Sequence, residues 1–139
     1  MESKREEIIQ ELNRLMAEEV EAFLRYFQMR YRLKGVDRLA AGKFFDEAMN
    51  ETLEHAESIA KMVRSLGRIP QLKVKLAIGG ERFTLAEALQ ETLDVERQAL
   101  EAYKEMLPRV AGDPVLEDFI RKQITIETEH CQEISQLLE

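Results

Sequence analysis

Glu127-Thr128-Glu129-His130 sets a carboxylate and an imidazole one helical turn apart, and Glu51-Thr52-Leu53-Glu54-His55 forms a near copy upstream. His55 and His130 are the only two histidines of the chain. Such a pair has a use on a helix, where residues three or four apart project side by side from one face. Working outward, two further carboxylates, Glu19 and Glu96, fall in the middle of apolar stripes, where a charge without a counterion is costly to bury. Together these residues read as the inner wall of a metal site.

Four helical seams with steps of three and four carry them. The first helix is expected from about Ser3 to Lys34, with Ile9, Leu12, Met16, Glu19, Phe23, Tyr26 and Arg30 on one face. The second runs from near Asp37 to a stop at Gly67, with Ala41, Phe45, Ala48, His55, Ile59, Met62 and Leu66. Thr84, with Glu87 three residues on, is a capping pair for the third, whose seam is Leu85, Leu89, Leu93, Glu96, Leu100, Tyr103 and Leu107. Asp113-Pro114 opens the fourth, which carries Leu116, Ile120, Gln123, Glu127, His130, Ile134 and Leu137. All four metal-binding candidates outside position 51 and position 127 thus sit on seams with apolar neighbours, and Glu127 shares the last seam with His130.

Short turns near Gly35 and Gly112 predict two antiparallel helix pairs. The connection from Gly67 to Phe83, 17 residues with Pro70 and Gly79-Gly80, is far longer than a turn needs. Fully extended it would reach roughly 56–61 Å, enough to traverse a helix of about 42 Å. The expected architecture is an all-α, up-down-down-up four-helix bundle with one long crossover, forming a single domain over 1–139. Glu19 precedes His55 by 36 residues and Glu96 precedes His130 by 34, so the halves read as a diverged duplication with a pseudo-two-fold site.

Composition narrows the partners. The net charge of −7 opposes a nucleic-acid surface, which wants clustered Lys and Arg. Cys131 is the only cysteine, which excludes an internal disulfide and any Cys-based zinc or iron site, and reads as an ordinary helix residue. No apolar run approaches membrane-spanning length and no signal-peptide core follows Met1, so a cytoplasmic protein without membrane contact is expected. Carboxylate oxygens with one imidazole per metal suit iron or manganese and tolerate zinc.

In this order the motifs resemble those of bacterioferritin, within the ferritin-like di-iron carboxylate proteins. The resemblance rests on Glu19 through Tyr26, His55-Ala56-Glu57, Gly67-Arg68-Ile69-Pro70, Leu76-Ala77-Ile78-Gly79 and Glu127-Thr128-Glu129-His130. It implies two iron ions per chain, Glu19 and His55 on one, Glu96 and His130 on the other, and Glu127 bridging. Tyr26 would lie close enough to donate a hydrogen bond or an electron, although a core tyrosine is the plainer reading of that position. The implied activity is a ferroxidase-type oxidation of Fe(II) by oxygen or peroxide in iron handling or detoxification. A rubrerythrin-like peroxidase or oxidase with an external electron donor, and a helical interaction module that has lost its metal, are the alternatives.

Three departures modify these expectations. Thr52 occupies the position of the second bridging Glu, so Glu51, four residues before His55, is the substitute ligand, if need be through a local π-bulge. Otherwise the site has one bridge fewer. Leu53 stands where haem-binding bacterioferritins carry Met, and haem is not predicted. The chain ends nine residues after His130, without the short fifth helix of the family, so the sequence leaves open whether a hollow storage shell forms. A homo-oligomer, at least a dimer, is still expected, with Tyr31 and Phe44 as candidate interface residues.

Overall fold

The computed structural model describes residues 2–75 and 84–139. Among these residues there are four α-helices and no strand: α1 (Glu2–Arg32), α2 (Gly35–Ser65), α3 (Leu85–Met106) and α4 (Pro114–Leu137), with a 3₁₀ turn at Leu107–Val110 between α3 and α4. The expected elements are all present, with ends shifted by one or two residues.

The first hairpin is α1 packed on α2. Its register is written by three long-range contacts: Arg5 Nη2 donates to the Leu66 carbonyl at 3.2 Å, Glu19 meets His55, and Arg30 Nε pairs with Asp46 Oδ1 at 2.9 Å. Numbers rising along α1 while falling along α2 define an antiparallel pair. Gly42 makes the close approach near its turn end feasible, since a Cβ there would lie 3.0 Å from the Arg30 guanidinium carbon. Leu12, Phe45 and Ile59 of the expected seams are fully buried, and so are Leu15 and Val63, which lie one turn from Leu12 and Ile59.

α2 stops where the sequence placed its stop. Gly67 adopts φ +83°, a left-handed conformation that costs a residue with a Cβ. Its amide donates to the Arg64 carbonyl at 3.0 Å and the Arg68 amide donates to the Val63 carbonyl at 3.3 Å, the paired bonds of a Schellman cap. From there the chain turns back along α1. Arg68 reaches Glu6, the Gln71 amide donates to Asn13 Oδ1 at 3.1 Å, and the Lys75 amide donates to Glu21 Oε1 at 2.7 Å. The step from Glu6 to Glu21 is about 22 Å of helix, and seven residues of chain cover about 23 Å when extended. The described start of the crossover is therefore drawn out straight beside α1. Its Gly79-Gly80 and Leu76-Ala77-Ile78-Gly79 motifs lie outside the described residues.

The second hairpin joins α3 to α4 through the 3₁₀ turn and Gly112 (φ +93°). Asp113 caps α4, its carboxylate accepting from the Leu116 amide at 3.2 Å, with Pro114 in the first turn as predicted. A connection this short forces α3 and α4 antiparallel. Tyr103, Met106 and Ile120 are buried to 1% exposure or less, whereas Leu137, expected on the seam, lies past its last buried turn and is exposed.

Candidate metal centre

Within the first hairpin, Glu19 on α1 and His55 on α2 are 6% and 8% exposed, and His55 Nδ1 stands 3.7 Å from Glu19 Oε2. Within the second, Glu96 on α3 is 6% exposed and Glu127 on α4 is fully buried. His130 Nδ1 lies 3.9 Å from Glu96 Oε2 and 4.0 Å from Glu127 Oε2, and one ligand atom from each residue falls within 4.8 Å of the others.

These separations decide what the groups can do. An N–H···O hydrogen bond needs about 2.7–3.2 Å, so none of the three contacts is one. Two ligands each about 2.0–2.2 Å from a common ion can stand up to roughly 4 Å apart, and the observed spacings fit that geometry. The charge argument agrees. Buried carboxylates approaching one another in a low-dielectric interior are stabilised by a cation between them. Oxygen donors with a single imidazole in each hairpin suit a hard or borderline divalent ion.

At position 52 the seam carries no carboxylate. Thr52 is 2% exposed and its hydroxyl donates to the Met49 carbonyl at 2.9 Å, a bond internal to its own helix. Glu51, predicted as substitute ligand, is only half-buried and belongs to no carboxylate–histidine cluster among the described residues. Nor does a π-bulge rotate it inward, because α2 is an unbroken α-helix from Gly35 to Ser65. Tyr26 is buried on the Glu19 face of α1, its ring centroid 6.2 Å from that of Phe45.

Cys131 follows His130 on α4. Burial, with the Glu96 carboxylate adding to it, pushes its thiol above the ordinary range and disfavours the thiolate that binds metal. One further polar residue belongs to the α4 row: Gln123, four residues before Glu127, is 4% exposed. The seam pattern contained it without marking it as a site residue. Tyr31 and Phe27 are exposed at the end of α1, while Phe44 is half-buried edge-on to Phe45.

Residues 9–139 match the ferritin-like domain family, and the chain belongs to that family. Solved structures of the same fold include ferritin-like diiron-carboxylate proteins from Bacillus anthracis str. Ames, at 23% identity, full coverage of both chains and a TM-score of 0.90. Bacterioferritin from Desulfovibrio desulfuricans aligns at 22% identity over 99% of this chain and 81% of its own, with a TM-score of 0.87. A DPS protein from Vibrio cholerae O1 aligns at 12% identity over 99% of this chain and 92% of its own, with a TM-score of 0.89. At these identities the likeness is one of fold, and it extends across ferritin-like branches rather than to bacterioferritin alone. No curated protein matches the chain. None of its helices, among the described residues, is long and apolar enough to cross a membrane.

Proposed function

We propose that this ferritin-like protein oxidises Fe(II) with oxygen or peroxide at a pair of iron sites, Glu19 and His55 holding one ion and Glu96 and His130 the other. By analogy with the di-iron family, Glu127 is the shared ligand and the reading is bacterioferritin-like. The observation that carries the proposal is the recurrence of a buried carboxylate–imidazole pair, at 3.7 Å in one hairpin and 3.9 Å in the other. Bound iron would supply the electron transfer to the oxidant. The chain's own residues hold and orient. Each Glu offers anionic oxygen that stabilises the ferric product more than the ferrous substrate, and each imidazole adds a neutral donor that fixes direction. The buried apolar rows flanking them limit water and strengthen those charge interactions.

Because Thr52 spends its hydroxyl on its own backbone, the centre works with one carboxylate fewer than a four-Glu site. Tyr26, two turns from Glu19, is the aromatic residue assigned to hydrogen bonding or electron donation on that side. The protein acts as an oligomer, at least a dimer, with Tyr31 at the exposed end of α1 and the half-buried Phe44 of α2 as its interface residues. Purified protein is expected to accelerate Fe(II) oxidation over a Glu127→Ala variant in stopped-flow absorbance. Equal rates for the two proteins would sink the proposal.

A further inference from the structure

Gln123 presents a different problem from the carboxylates. Its side-chain carbonyl oxygen is fully enclosed and has no hydrogen-bond partner among the described residues. Burying an amide oxygen without a partner is destabilising, and native proteins keep few such groups, commonly where a water or an ion completes the bonding. The surroundings point to which. Gln123, Glu127 and His130 follow one another at steps of four and three along α4, so they form one row on one helix face. Glutamine is the amide of that row and sits at its N-terminal end.

The opposite helix sets the level. Glu96 on α3 meets His130 on α4, and the two helices are antiparallel, so seven residues onward along α3 and seven back along α4 bring Tyr103 level with Gln123. Both are buried, at 0% and 4% exposure. Neighbouring residues in an i, i+4 row have Cβ atoms about 5–6 Å apart. Helical side chains lean toward the N-terminus, which for Gln123 is away from Glu127. Direct ligation of an ion beside Glu127 is thereby disfavoured, whereas one water on that ion closes the gap.

We infer that Gln123 is a positioning residue of the α3–α4 half-site, its carbonyl oxygen accepting a hydrogen bond from a water ligand of the metal held by Glu96, Glu127 and His130. This rests on the metal-site reading above. In that role a neutral acceptor anchors the water without adding a third carboxylate charge to the half-site of Glu96 and Glu127.

Co(II) is the probe, titrated into metal-free protein by calorimetry and visible absorption, with thermal melts of each variant recorded without metal. Gln123→Met keeps the length and removes the oxygen. It is expected to melt at or above the wild-type temperature without metal, to bind Co(II) about tenfold more weakly, and to shift the cobalt absorption bands. A Gln123→Glu variant restores an oxygen acceptor and is expected to bind Co(II) at least as tightly as wild type. If Gln123→Met binds Co(II) with wild-type affinity and spectrum, the inference is overturned. A lower metal-free melting temperature with unchanged cobalt binding overturns it too, and assigns Gln123 to core hydrogen bonding beside Tyr103. Should Gln123→Met not fold, Gln123→Glu decides, since cobalt binding weaker than wild type there would show that an oxygen acceptor at position 123 does not serve the metal. A wild-type protein that binds no Co(II), or a Glu127→Ala variant that binds it equally, removes the metal site itself. Loss of binding in Glu127→Ala alone, with Gln123→Met intact, removes only the role of Gln123.

Discussion

The two hairpins repeat one plan and break it at one position. Each places a Glu on its first helix opposite a His on its second, at 3.7 Å in α1–α2 and 3.9 Å in α3–α4. Three residues before that His, α4 carries Glu127 and α2 carries Thr52, both in the buried row. The backbone solution is therefore the same while the charge is not. Thr52 satisfies itself with a bond to Met49, so it asks nothing of a ligand. Glu127 brings a second carboxylate into the interior of a hairpin that already buries Glu96. The α3–α4 half thus has the stronger need for a cation, and the α1–α2 half tolerates the metal-free state better.

The largest expected effect comes from removing the carboxylate that the hairpins do not share. Glu127→Ala should slow Fe(II) oxidation by more than about 100-fold, since losing mere support of a ligand costs 10–100-fold. Metal-free stability should meanwhile hold or rise, because a buried charge is gone. A stopped-flow trace and a chelated thermal melt check both halves. Next, Thr52→Glu makes the hairpins alike. Another buried carboxylate should destabilise the metal-free chain by about 3 kcal/mol, lowering its Tm by roughly 6–12 °C, and Fe(II) should restore most of the loss by mass action. A chelated melt identical to wild type would show that the position is not buried in solution.

Glu51→Gln tests the alternative substitute ligand. With Glu51 outside the clusters, metal affinity by calorimetry should stay within about twofold, whereas a true ligand would cost well over tenfold. The smallest effects are expected where hairpin architecture and chemistry separate. Gly67→Ala, which strains the cap of α2, and Asp113→Ala, which removes the cap of α4, should each cost about 1 kcal/mol. The corresponding Tm shift is about 2–4 °C, with no change in metal affinity.

Much of this was legible because a charge inside an apolar seam is conspicuous. Glu19, Glu96 and Glu127 stood out by spacing alone, and the structure buries all three. Glu51 shows where that reading stops. A single residue of register separates it from Thr52, and steps of both three and four share a helix face, so only the actual rotation of α2 places Thr52 inward and Glu51 at the edge. The return segment was harder still. Its attachment to α1 runs through the Gln71 and Lys75 amides and the side chains of Asn13 and Glu21, contacts that leave no periodic trace in sequence. Gln123 was visible as a seam residue, but nothing in its spacing told an amide with a hydrogen-bond partner from one without.

The central claim is that each hairpin holds one metal ion. Its most direct test is the number of irons bound per chain when metal-free protein is loaded anaerobically with Fe(II), followed by an oxygen pulse. Two irons per chain, oxidised rapidly and dependent on both His55 and His130, is the expected result. One weakly held iron or none, with oxidation no faster than in the Glu127→Ala variant, would contradict it.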